Sequence, residues 1–314
     1  MSLSPLSLPL PWHTKIWEDF NKSIDLSRVP HALLIGGPSG IGKMRLATGL
    51  AHRLLCLDEL NSFACGACKG CKLLASGFHP DLNILQPADT GKDIIINEVR
   101  NLCTTLSKTS QQGGWKIAII APAESMNISS ANALLKSLEE PQDKTLLILV
   151  SHRPSLLPAT IRSRCQQTLL PHPNSADARQ WLSEVSGQDL QVDKALAVAA
   201  GRPLLALEYL QAGVLEDQQL FEDLLQGLKE GSQSGIYAAQ QVSKLNMVTA
   251  LEWFIAYLHA IVVKDQDLQS NQNIYLFFDR LNHTHRMVLS GSTVNQQLLW
   301  EELFMSWRQV FSQR

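Results

Sequence analysis

Two short stretches hold residue types in spacings that can do chemistry. In "GGPSGIGK", residues 36–43, Gly37, Gly42 and Lys43 follow the pattern G-x4-G-K, with Gly40 inside it. Glycines there let backbone N–H groups curl around phosphate oxygens, a helix N-terminus adds its positive end, and the lysine supplies a point charge. The next residue ought to be Ser or Thr, whose hydroxyl ligates the magnesium that bridges nucleotide phosphates. Met44 stands in that place. A working site also needs an acidic residue at the end of a neighbouring strand. "KIAIIAPAESM" instead puts Ala121 and Pro122 just past the strand, and Glu124 is the nearest acid. Glu124 has two readings. Either a bulged loop brings it towards the phosphates, or it starts the following helix, where its charge complements the helix dipole.

The second stretch carries Cys56, Cys65, Cys68 and Cys71, spaced C-x8-C-x2-C-x2-C, with Gly66 and Gly70 between them. Four thiolates wrapped by tight turns suit a closed, tetrahedral, structural zinc site. An iron–sulfur cluster is the alternative, although the C-P ending of the common ferredoxin run is missing. His52 and His79 flank the module, but four cysteines already complete the shell. Cysteines bunched this closely make a poor secreted disulfide framework. Cys103 and Cys165 read as small packed hydrophobes.

These residues must be positioned by the elements around them. Apolar runs at 32–35, 82–85, 116–120, 145–150 and 166–170 alternate with helix-like segments, which predicts a parallel sheet with helices on both faces. In "NISSANALLKSLEEP" the polar run 127–130 offers helix caps, Ala131, Leu134, Leu135 and Leu138 share one face, and Pro141 stops the helix. Past 170 the strand signals fade, and helices are expected at 176–185, 191–200 and 203–211, then to the end. The later stripes, Leu251, Phe254, Ile255, Leu258 and Val262, then Leu299, Leu303, Phe304 and Trp307, have helical spacing.

The chain has 314 residues, 45% of them hydrophobic, enough to bury more than one core. Its 27 basic and 29 acidic residues give a net charge of −2, which argues against a broad nucleic-acid-binding face. The N-terminal "MSLSPLSLPLPW" is unlike a signal peptide, and the uninterrupted apolar runs fall far short of the ~20 residues of a membrane span. A soluble cytoplasmic protein is expected.

Taken together, "RVPHALLIGGPSGIGK", the cysteine cluster, "ANALLKSLEEP" and "LLPATIRSRC" resemble the clamp-loader subunits of bacterial DNA polymerase III, in the AAA+ family. The likeness is close from residue 8 to about 210, and looser through the C-terminal helices that include "NQQLLWEELFMSW". That family contains ATP-hydrolysing motor subunits (gamma/tau) and a kind that keeps the fold without the hydrolysis. This chain departs from the motor pattern at Met44, at Ala121 and Pro122, and at Leu204, where the motor's G-S-x-R places an arginine. The departures group it with the non-hydrolysing kind.

The resemblance implies an α/β AAA+ P-loop domain at 1–170 with a zinc module at 56–71, a helical lid at 171–210, and an all-α collar domain at 211–314. It implies that Gly37, Gly40, Gly42 and Lys43 form a degenerate phosphate loop with weak or absent ATP binding. Ser163, Arg164 and Cys165 match the family's S-R-C motif, whose arginine projects into a neighbour's ATP site. The bland reading of Arg164 is a surface arginine paired with a local carboxylate, and Arg162 is read that way. Implied partners are motor subunits (gamma/tau) and a delta subunit in a hetero-pentamer, the sliding clamp, and primer–template DNA through the complex, with no membrane. The chain would be no ATPase by itself, but a component of the DNA polymerase III holoenzyme, a DNA-directed DNA polymerase and nucleotidyltransferase complex. Two rival functions remain open: a motor subunit that uses Glu124, and a zinc-dependent nucleic-acid-binding module.

Overall fold

The computed structural model describes residues 8–311 apart from 59–61, 90, 188, 270 and 290–294. The chain divides into two compact units, Met1–Leu207 and Glu208–Arg314. In the first unit, strands β1 (Ala32–Gly36), β2 (Leu82–Leu85), β3 (Lys116–Ile120), β4 (Thr145–Ser151) and β5 (Gln166–Leu169) form one sheet in the order β2-β3-β4-β1-β5. Every pairing is parallel, with Leu34 opposite Leu149 and Ala118 opposite Leu147. The expected strands are all present, each within a residue of its expected bounds.

β1, β3 and β4 are buried along their whole length. Central strands of a parallel sheet have both faces covered, so their sequences run apolar without alternation. Successive side chains still point to opposite faces. Leu33, Ile35, Ile117, Ile119 and Ile148 meet Trp17 and Phe20 of helix α1 (Thr14–Asp25) and Leu46, Leu50 and Leu54 of α2 (Lys43–Leu55). On the other face Leu34, Ala118, Ile120 and Leu149 meet α4 (Ile96–Leu106) and α5 (Ile128–Glu139). Between the two pairs in sequence lies α3 (Lys69–Ala75), which carries the last cysteine of the cluster. Asn127 caps α5, its side chain accepting from Ser130 N at 2.9 Å. Of its expected inner face, Ala131, Leu134 and Leu138 are buried, while Leu135 is only partly so.

The rest is helical: α6 (Ala159–Arg162), α7 (Ser175–Ser186), α8 (Asp189–Val198), α9 (Pro203–Ala212), α10 (Val214–Glu230), α11 (Gly235–Val242), α12 (Met247–Lys264), α13 (Gln266–Gln269), α14 (Gln272–Leu289) and α15 (Gln296–Phe311). The second unit is built around an aromatic core in which Phe254 contacts Phe221, Phe277, Phe304 and Trp307 edge-on or tilted. The buried Trp307 indole donates to Leu225 O at 3.1 Å, which satisfies its polar edge. Among the described residues α12 is the one helix long and apolar enough to cross a membrane by length and composition. It buries Leu251, Trp253, Phe254 and Leu258 in this core, as an interior helix of a folded unit does.

Candidate functional site

β1 runs into the glycine loop, and α2 opens at Lys43 as the motif requires. Gly37, Gly40 and Gly42 have φ of +144°, +77° and +89°. Side chains rarely tolerate such angles, and packing adds a second reason at two positions. A Cβ on Gly42 would come within 2.5 Å of Leu10 Cδ1, and one on Gly40 within 2.8 Å of Leu205 Cβ. The loop is therefore clasped between the N-terminal segment and the start of α9.

Hydrogen bonds reinforce both sides. Trp12 Nε1 donates to Ile41 O at 2.8 Å, and His13 Nε2 lies 3.1 Å from the same oxygen. Leu10 N donates to His13 Nδ1, so the neutral ring with its proton on Nε2 satisfies both contacts. On the other side Leu204 N donates to Gly40 O at 3.0 Å, and Arg202 Nη1 stands 3.4 Å from Ser39 Oγ. Lys43 turns back on its own loop and donates from Nζ to Pro38 O. Burial holds its ammonium down to about 8, while the charge of Glu124 opposes that shift. Met44 packs against the apolar core beneath the sheet.

Burial also holds the His13 ring down to about 4 from its ordinary 6.5, with the bond to Ile41 O opposing. A group of this kind contributes stability that is complete above about 6.5 and lost as pH falls towards about 4, because the unfolded chain then binds the extra proton. The melting temperature should therefore drop between about pH 7 and about pH 4.5. It should drop less in His13→Asn, which cannot titrate. Parallel slopes in the two proteins would contradict this.

Glu124 lies near enough to the phosphate loop for its charge to act on Lys43, and it does not cap the following helix. It sits in a short 3-10 turn, Ala123–Ser125, and Asn127 rather than Glu124 caps the following helix. Its Oε1 accepts from His152 N at 2.8 Å and Arg153 N at 3.2 Å, just past the end of β4. Its Oε2 is buried and, among the described residues, has no hydrogen-bond partner. His152 and Arg153 were not singled out from the sequence. The only available signal was that the residues following an apolar strand expose their N–H groups at the same sheet end as the phosphate loop.

Pro158 precedes the short α6, and Arg164 follows it. Arg164 Nη2 lies 2.6 Å from Glu139 Oε1 at the end of α5. Nη1 donates to Thr160 O at 3.0 Å and lies 3.4 Å from Ser163 Oγ. The ion pair that the bland reading assigned to Arg164 is thus present, and the arginine side chain remains 35% exposed beside it. Arg162 is half-buried, and its Nε is enclosed without a partner among the described residues. Cys165 is buried, and desolvation pushes its thiol up to about 11, which leaves an unreactive packing group.

The four sulfur atoms of Cys56, Cys65, Cys68 and Cys71 lie within 4.8 Å of one another. Cys56 and Cys68 are 4.0 Å apart, and Cys65 and Cys71 3.9 Å. Thiolates at about 2.3 Å around a tetrahedral ion are about 3.8 Å from each other, so the cluster matches the size of such a site. Backbone N–H groups of Cys65, Cys68 and Cys71 point at Cys56, Cys65 and Cys68 sulfurs at 3.3–3.4 Å. Burial draws the Cys68 thiol up, but the N–H of Cys71 at the start of α3 helps outweigh it and leaves the thiol at about 6. Local geometry explains the glycines: Gly66 has a φ of +75°, and a Cβ on Gly70 would lie 2.5 Å from Leu55 O. The module is anchored to α1 by Phe63 stacked on Trp17, with ring centroids 5.3 Å apart. His79 directs Nδ1 to Asp81 N, and burial keeps His52 down at about 4.

Comparison with known proteins places this architecture. The family model described as DNA polymerase III, delta subunit, matches residues 12–174. DNA polymerase III subunit delta-prime of Pseudomonas aeruginosa is 33% identical over 95% of this chain and 96% of its own length. That of Escherichia coli K12 is 35% identical over 72% of this chain and 67% of its own. A DNA polymerase III gamma subunit-related protein of Thermotoga maritima shares the fold, with a TM-score of 0.56 at 18% identity over 93% of this chain and 98% of its own. The parallel sheet between helices, the inserted cysteine module and the helical C-terminal segment are the AAA+ arrangement that the sequence implied. By sequence, over almost its whole length, the chain belongs to the delta-prime subunit family of DNA polymerase III.

Proposed function

We propose that this chain works in the replicative clamp loader as a subunit that hydrolyses no ATP itself and lends Arg164 to the ATP site of a neighbouring motor subunit. The observation that carries this reading is the engagement of the phosphate loop by its own chain. Leu204 N holds Gly40 O, Lys43 holds Pro38 O, and Met44, partly buried against the core, stands where a magnesium-binding hydroxyl belongs. Arg164, by contrast, keeps a permanently charged, forked group at the surface. A guanidinium neutralises the charge that develops on the transferred phosphoryl group and binds its oxygens in pairs.

The partners proposed are motor subunits of the gamma/tau kind and a delta subunit in a hetero-pentamer, with the sliding clamp and primer–template DNA bound through the complex in the cytoplasm. Zinc, held by Cys56, Cys65, Cys68 and Cys71, serves as a structural ion. The test is to purify the chain, measure ATP hydrolysis alone, and then add cognate motor and delta subunits with primed DNA and clamp. No turnover alone, and assembly with stimulated turnover in the mixture, is the expected result. One observation favours a second reading, an active ATPase. Glu124 lies at the strand ends, and its charge is felt by Lys43. Turnover by the isolated chain that Glu124→Gln abolishes would establish that reading instead.

A further inference from the structure

Glu139 is the last residue of α5, where a carboxylate faces the negative end of the helix dipole and is unfavourable unless a cation meets it. Arg164 is that cation. Its Nη2 lies 2.6 Å from Glu139 Oε1, while Nη1 donates to Thr160 O at 3.0 Å. The guanidinium is therefore gripped from two elements, a side chain of α5 and the backbone of the turn that carries it. An ion pair this exposed contributes little to folding, so stability does not account for the arrangement. What it does supply is direction. A long arginine loses rotamer freedom when it engages a ligand, and a side chain held beforehand in the working geometry has already lost it.

We propose that Glu139 is a positioning residue for Arg164. It holds the guanidinium in the orientation from which it meets the phosphates of a nucleotide bound by the neighbouring subunit. The inference rests on the reading of Arg164 as acting in trans. One N–H of Nη2 is taken by Glu139, and the second stays available for an incoming phosphate oxygen. The carboxylate also offsets part of the cation's charge. A single, solvent-screened charge competes weakly with a polyphosphate, so orientation outweighs neutralisation.

The test uses the assembled complex: full-length chain, cognate motor and delta subunits, clamp and primed DNA, with complex size checked for every variant. Glu139→Ala should lower the stimulated kcat for ATP by less than about twofold, part of the way to the value for Arg164→Ala, and leave KM unchanged. That is less than the ~10²-fold that a displaced group can cost, because one site among several is affected. Glu139→Gln should recover most of the rate, since its amide oxygen accepts the same hydrogen bond. Adding Glu139→Ala to Arg164→Ala should lower the rate no further than Arg164→Ala alone. The proposal is overturned if Arg164→Ala slows the complex while Glu139→Ala matches or exceeds the wild-type rate. It is also overturned if the two losses multiply in the double variant, since Glu139 would then act independently of the arginine. A wild-type rate for Arg164→Ala is a different failure, that of the trans-acting reading itself, and this inference falls with it.

Discussion

Complexes carrying Arg164→Ala should assemble normally, lose part of their DNA-stimulated ATP hydrolysis, and lose more of their clamp loading. Assembly survives because the side chain is 35% exposed and its partner Glu139 49%, and truncating such a pair changes stability by about 1 kcal/mol or less. The site served by the arginine suffers far more. An arginine acting on the transferred phosphoryl group is worth ~10³-fold or more, so that site should become nearly silent. Bulk hydrolysis falls only in part, since the other sites still turn over. Loading falls further if every site must fire in one cycle. Arg164→Lys should rescue poorly. A lysine keeps the charge, but its single ammonium cannot hold Glu139 and Thr160 O while presenting a planar fork to phosphate. Wild-type loading in assembled Arg164→Ala complexes would leave the motif as an inherited surface feature.

Loss of the ion proposed for the cysteine cluster should have the largest effect on structure, and a local one. One zinc per chain is expected by elemental analysis, with Cys68→Ser sharply weakening its retention. Cys68 caps α3, and its sulfur accepts from Cys71 N, so the substitution removes a ligand and a thiol tuned for it. Structural zinc in small modules carries an apparent ~10–16 kcal/mol of binding free energy, most of it realised as order in the surrounding loop. Hydrogen exchange should accelerate through residues 56–71, with lesser effects at Trp17 through its stacking with Phe63. The buried strands should stay protected, because Ile35, Ile119 and Ile148 share a large cluster with α1, α2 and the sheet, to which the module's flanks contribute only Leu55 and Leu74. Iron in freshly prepared protein, or no metal at all, would overturn the assignment. So would an exchange pattern that loosens β1, β3 and β4 as much as the module.

The features read correctly from the sequence are those set by local rules. β1, β3 and β4 announce themselves because strands covered on both faces cannot interrupt their apolar runs. The cysteine spacing is legible because ligands to one ion must lie within a few residues' reach of tight turns. Asn127 was legible as part of a capping run for the same local reason. What escaped depends on segments distant in sequence. Leu204 registered as a missing arginine, yet the structure uses its backbone N–H to hold Gly40, a role any non-proline residue could fill. The partners of Glu124, the N–H groups of His152 and Arg153, are not legible in the sequence because they reach it only through the pairing of β3 with β4. The carboxylate facing Arg164 was anticipated only as a class, since nothing local to the S-R-C motif singles out Glu139. In α12, Phe254 and Leu258 are buried while Ile255 is only partly so, and a helical stripe cannot distinguish such neighbours.

The most direct test of a subunit that hydrolyses nothing in cis yet acts in trans is a paired measurement of stimulated ATP turnover. Complexes containing Lys43→Ala and Arg164→Ala are compared with wild type, with assembly verified in each. If the chain hydrolyses nothing itself, Lys43→Ala should turn over like wild type, its ammonium being engaged with Pro38 O, and Arg164→Ala should be slowed. The reverse pattern, with loss at Lys43 and none at Arg164, would contradict the account.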